Sequence, residues 1–92
     1  MAAIDYRHPY EICFKTPVGC YRERRFHSNA RLVWDTLQAY KRSCSTAGAS
    51  PEFELRQWAA GVASPLTELE LEALARREEA ARREEIRAQF RA

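Results

Sequence analysis

The stretch YEICFKTPVGCYRERRFH, residues 10–27, places two short segments on either side of a turn that contains proline and glycine. In the first segment Tyr10, Ile12 and Phe14 alternate with Glu11, Cys13 and Lys15, the period-two pattern of a strand with one buried face. Thr16-Pro17-Val18-Gly19 puts proline where a turn needs a fixed φ and glycine where the chain must double back. The stretch therefore predicts a β-hairpin whose second strand runs from Cys20 to Phe26. Two loop lengths fit, pairing Phe14 with either Tyr21 or Arg22. Pairing with Tyr21 buries more apolar surface, and it sends Arg22 and Arg24 outward beside Cys13 and Glu11.

A two-stranded ribbon is marginal in water, so its apolar face needs a cover. Residues 29–42 supply one: Ala30, Val33, Trp34, Leu37 and Tyr40 form one stripe of an α-helix, with Arg31, Asp35, Gln38 and Arg42 on the opposite side. Ser28 or Asn29 is a suitable N-cap, and Trp34 is large enough to anchor helix to sheet. Residues 44–50, small and polar without periodicity, read as a flexible linker.

Ser50-Pro51-Glu52 carries the cap, proline and early acid of a helix start, and Gly61 a stop, which predicts a short helix burying Phe53, Leu55 and Trp58. A second start follows, with either Ser64 capping before Pro65 or Thr67 and Glu70 forming a capping box. The helix it opens runs to the C-terminus and carries acid-first i,i+4 pairs Glu72 with Arg76, Glu78 with Arg82 and Glu79 with Arg83. Leucines crowd its first turns, then alanines, Ile86 and Phe90 follow, and Arg77 and Glu84 interrupt the apolar stripe, so no long coiled coil is expected. The predicted fold is α+β: an N-terminal β-hairpin packed on an amphipathic helix (residues 1–43), the linker (44–50), then a short helix and a long charged C-terminal helix (51–92) in the same small domain.

The chain of 92 residues is 46% hydrophobic and 30% charged, in the range of a globular domain with a modest core. It holds no apolar run long enough to span a membrane, and its first residues lack a signal-peptide pattern, so a cytoplasmic location is expected with no membrane partner. Cys13, Cys20 and Cys44 match no zinc or CxxC spacing; they read as reduced structural thiols, with a Cys13 to Cys20 bridge as the competing reading. A metal site drawing on these cysteines with His8 and His27 lacks the close ligand pairs that zinc sites use. His8 and His27 have no acid or nucleophile motif beside them, and Gly19, Gly48 and Gly61 are scattered singly, so neither catalytic residues nor a cofactor are expected.

Charge is unevenly spread. Residues 1–50 hold eight Lys or Arg against four Asp or Glu, a net +4, whereas residues 51–92 hold seven against nine, a net −2. Alternating charges on a hairpin also serve simply to solvate it and to discourage edge pairing. Arginine beside aromatic residues is equally the composition of protein-binding surfaces, and of phosphate-contacting, base-stacking ones. The expected function is therefore non-catalytic: a small adaptor, regulator or inhibitor that binds an acidic protein surface through Arg22, Arg24 and Arg25 and through Arg76, Arg83 and Arg87 of the last helix. Nucleic-acid binding by the basic ribbon is the alternative, and a homodimer formed through Leu66, Leu69 and Leu74 the second.

Overall fold

A computed structural model describes residues 9–16 and 22–90. The elements are β1 (Tyr10–Lys15), β2 (Arg22–His27), α1 (Ala30–Ala47), β3 (Phe53–Ala59), β4 (Val62–Leu66) and α2 (Glu68–Phe90). The four strands form one antiparallel sheet in the order β2-β1-β3-β4. Since β2 and β3 flank β1 and both run antiparallel to it, α1 is a crossover that carries the chain from one side of β1 to the other. The fold is α+β as expected, but the sheet has twice the strands.

The first hairpin forms in a register different from both expected ones. Phe14 stands opposite Glu23, Ile12 opposite Arg25 and Cys13 opposite Arg24. Relative to the pairing of Phe14 with Tyr21 this is a slip of two residues, which returns every side chain to the same face, so burial does not discriminate between them. The turn residues Pro17 to Gly19, with Cys20, Tyr21 and His8, lie outside the described residues.

The short helix expected from Ser50-Pro51-Glu52 is instead the hairpin β3-β4. Its helix-start signals are local, and they lose to pairing with β1, which places Leu55 beside Ile12 and Phe53 beside Phe14. Phe53 and Leu55 alternate with Glu54 and Arg56, as a strand requires. Ala60 (φ 51°) and Gly61 (φ 78°) make a two-residue return between paired Ala59 and Val62, both in the left-handed region that a type I′ turn demands. Pro65 is accommodated because β4 is an edge strand.

Helix α1 is longer than its predicted span and takes in residues 44–47 of the expected linker. Ala30, Val33, Leu37, Tyr40 and Cys44 are its buried stripe, so Cys44 is a core residue. Asn29 is the N-cap, its Oδ1 accepting from the Leu32 amide at 3.0 Å. Gly48, at φ 69°, ends the helix: its own N–H donates to Ser45 O and that of Ala49 to Cys44 O, the two bonds of a Schellman motif.

Thr67 and Glu70 form the capping box of α2, the second of the two expected starts. α2 lies antiparallel against α1, since Glu68 ion-pairs with Lys41 while Glu78, ten residues on, reaches the start of α1. There the Glu78 carboxylate accepts from the amides of Ala30 (2.9 Å) and Arg31 (3.0 Å). A residue expected to pair with Arg82 on its own helix instead neutralises the positive end of another. Leu71 and Ala75 complete the core with Ile12, Phe14, Val33, Leu37 and Leu55. Tyr40 ties the entry of β3 to α1, its hydroxyl donating to Glu52 O (2.8 Å) and accepting from Glu52 N (2.7 Å).

Beyond Glu78 every described residue of α2 is exposed, so its last three turns project from the domain. The radius of gyration, 15.4 Å, exceeds the roughly 12 Å of a compact chain this long for that reason. No described helix is long and apolar enough to cross a membrane.

Candidate functional site

Both helices sit on the side of the sheet that carries Ile12, Phe14 and Leu55. The pleat sends the alternate residues to the opposite side, which no described element covers: Glu11, Cys13 and Lys15 of β1, Arg22, Arg24 and Phe26 of β2, and Glu54, Arg56 and Trp58 of β3. At its centre Glu11 has no exposed side-chain surface, although no described helix covers it. Three described side chains close around it. Arg24 Nε donates to Glu11 Oε2 at 2.6 Å, Trp58 Nε1 donates to Oε1 at 2.8 Å, and an Arg56 terminal nitrogen lies 3.6 Å from Oε1.

Burial by itself raises the pKa of the Glu11 carboxyl. The hydrogen bonds from Arg24 and Trp58 and the charges of Arg24 and Arg56 outweigh it and hold the group below the usual carboxylate range. In turn the Glu11 hydrogen bond and charge raise the pKa of Arg24. Arg24 nevertheless remains 53% exposed, with its Nε spent on Glu11. Its guanidinium also lies 5.2 Å from the Phe26 ring centre.

The lattice continues along the sheet. Glu54 bonds Arg56 and stands 3.8 Å from Arg22, and Lys15 stands 3.9 Å from Glu52. A cleft of about 420 Å³ opens at this end, lined by Cys13, Lys15, Arg22, Glu52 and Glu54 among others. Four cations thus share one side with two acids, Glu11 and Glu54, and the rings of Phe26 and Trp58.

Of the expected contact residues, Arg22 and Arg24 lie on this face. Arg25 does not: paired with Ile12, it points to the helix side, bonds Glu23 at 2.8 Å and lies 5.6 Å from the Phe14 ring. Arg76, Arg83 and Arg87 belong to α2, on the other side of the sheet, where each is paired with an acid of its own helix, Glu72, Glu79 and Glu84. The three leucines expected to pair two copies do not form one surface. Leu66 and Leu74 pack against the core, and Leu69 alone is well exposed.

Reasoning from sequence missed Glu11, Arg56 and Trp58 as members of one site. The available signal was the alternation of Glu54, Arg56 and Trp58 with Phe53, Leu55 and Gln57, which marks a strand with a polar outer face. Cys13 and Cys44 are free and buried. Among the described residues no group of three or more His, Cys, Asp or Glu is placed to hold a metal ion. Comparison with protein-family models, with curated proteins and with solved structures finds no match to this chain in any of the three.

Proposed function

We propose that the chain is a non-catalytic protein-binding module of the adaptor, regulator or inhibitor kind, which docks an acidic surface of a cytoplasmic partner on the uncovered side of its sheet. The observation that carries this reading is the Glu11 centre. Arginines that only solvate a strand need no partner, and a wholly buried carboxylate is costly unless several groups compensate it. Here that carboxylate fixes Arg24 and draws in Arg56 and Trp58, so that half-exposed guanidinium groups stand in set positions. Pre-oriented arginine loses little freedom on binding a carboxylate, and arginine with tryptophan is the composition of interface anchors. Lys15 and Arg56 share the face with Arg22 and Arg24 and add to the contact.

A second reading, binding of single-stranded nucleic acid, draws on the rings of Phe26 and Trp58 beside the same cations. One experiment separates them: affinity capture from a lysate of the source organism, with and without nuclease, using the wild-type chain, a Lys15→Glu/Arg22→Glu variant and an Arg83→Glu/Arg87→Glu variant. A protein retained after nuclease, lost with the first variant and kept with the second, is the expected result. Retention that vanishes with nuclease favours the nucleic-acid reading, and a retained protein indifferent to the first variant removes the sheet face as the docking surface. Arg24 stays untouched because its loss strands Glu11.

A further inference from the structure

Arg22 and Arg24 project from one side of β2 and Arg25 from the other, and no flat surface reaches all three. The outer edge of β2 does. Resting on the protein-docking reading, we infer that the partner's contact segment is an extended acidic strand that adds to this edge as a fifth strand of the sheet. Among the described residues β2 is terminal in the strand order, and its residues Arg22-Glu23-Arg24-Arg25-Phe26 include neither proline nor glycine. Alternate backbone N–H and C=O groups of such an edge point away from the sheet and pair with an incoming chain.

The opposite edge is a poorer template, since β4 has five residues and Pro65 removes a donor. A second copy is a poor occupant of the β2 edge as well. Antiparallel registers centred near the middle of β2 set Arg24 against Arg25, Arg25 against its own counterpart, or Arg24 against its own counterpart; although the last also pairs Arg25 with Glu23, each places like charges directly opposite, which is unfavourable. An acidic strand has the reverse preference. Run antiparallel to β2, it places acids opposite Arg25, Arg24 and Arg22 and a base opposite Glu23, giving the order acid-acid-base-acid from its N-terminal end. The first of these meets Arg25 on the helix side. The second and last meet Arg24 and Arg22 on the uncovered side.

The probe is a capped ten-residue peptide of threonine and valine with Glu-Glu-Lys-Glu at its centre, titrated into the isotope-labelled full chain and followed by amide resonances. Its counterpart is the same peptide N-methylated at alternate residues, which keeps every side chain but cannot complete a ladder. Strand addition is supported if the first peptide shifts the amides of β2 and the N-methylated one binds about tenfold or more weakly. Equal binding of the two overturns strand addition while leaving acid docking on the face intact. Absence of binding by both, with the captured partner still dependent on Lys15 and Arg22, does the same. A thymidine oligonucleotide that binds where neither peptide does overturns the strand and the protein reading together.

Discussion

Arg24 Nε and Glu11 Oε2 lie 2.6 Å apart across the first hairpin, joining a guanidinium half in water to a carboxylate wholly out of it. The pair is asymmetric, and so are the consequences of breaking it. Arg24→Met leaves a buried charge with Trp58 and a longer contact to Arg56, a cost of about 2 to 3 kcal/mol. Glu11→Met leaves part-exposed cations and the neutral Trp58 N–H without their acceptor but no buried charge, so it is expected to cost less than Arg24→Met, and the double variant less than the sum of the two. Denaturant midpoints of the four chains in a double-mutant cycle measure this.

Acid should unfold the domain partly through the same carboxyl. The folded pKa of Glu11 lies below that of the open chain, so its contribution to stability is complete above the unfolded carboxylate range, near pH 4.3, and is lost as the pH falls through the folded value. Glu11→Gln should therefore be less stable than wild type at pH 7 and lose less stability between pH 5 and the acid limit. Denaturation at several pH values tests it, and parallel curves would remove Glu11 from the acid response.

At the β3-β4 turn, Ala60 holds a left-handed conformation that an L-residue with an ordinary side chain resists. Asparagine tolerates it and is favoured ahead of glycine in a type I′ turn. Ala60→Asn is expected to stabilise the chain by about 0.5 to 1 kcal/mol, raising the melting temperature by roughly 2 to 8 °C for a domain of this size. Thermal unfolding reads the shift directly.

Glu78 gives a test of the contact between helices. Its carboxylate accepts from two amides at the positive end of α1, so Glu78→Ala should cost about 1 to 2 kcal/mol. Glu79→Ala, which loses only an exposed pair with Arg83, should cost less than about 0.5 kcal/mol. Faster hydrogen exchange at Ala30 and Arg31 in the first variant alone would locate the loss at the start of α1.

Legibility in the sequence followed the distance over which each feature is decided. α1 has its cap at Asn29 and its stripe from Ala30 to Tyr40 in one short segment, and the Thr67 box opens α2 in the same local way. β3 and β4 were misread because Ser-Pro-Glu favours a helix locally, whereas pairing of Leu55 with Ile12 depends on a strand more than forty residues earlier. The extra turn of α1 escaped notice because serine, threonine and alanine at 43–47 resemble a linker, though Cys44 completes the buried stripe. Arg22 and Arg24 were visible as a basic strand. The group that holds Arg24 was not, because Glu11 and Trp58 stand 47 residues apart and meet only once β1 lies beside β3.

Trp58 is also the reporter for the central claim, that the uncovered side of the sheet is where a protein partner docks. Its indole N–H bonds Glu11 within that side, whereas Trp34 packs against the core on α1. In the isotope-labelled chain the two indole resonances are separable and are assigned with Trp34→Phe. Titration with the protein retained after nuclease treatment should move or broaden the Trp58 signal and leave that of Trp34 in place, and Lys15→Glu/Arg22→Glu should abolish the change. Saturable binding that leaves Trp58 and the amides of Arg22, Arg24 and Arg56 unmoved would place the partner elsewhere on the molecule and contradict the claim.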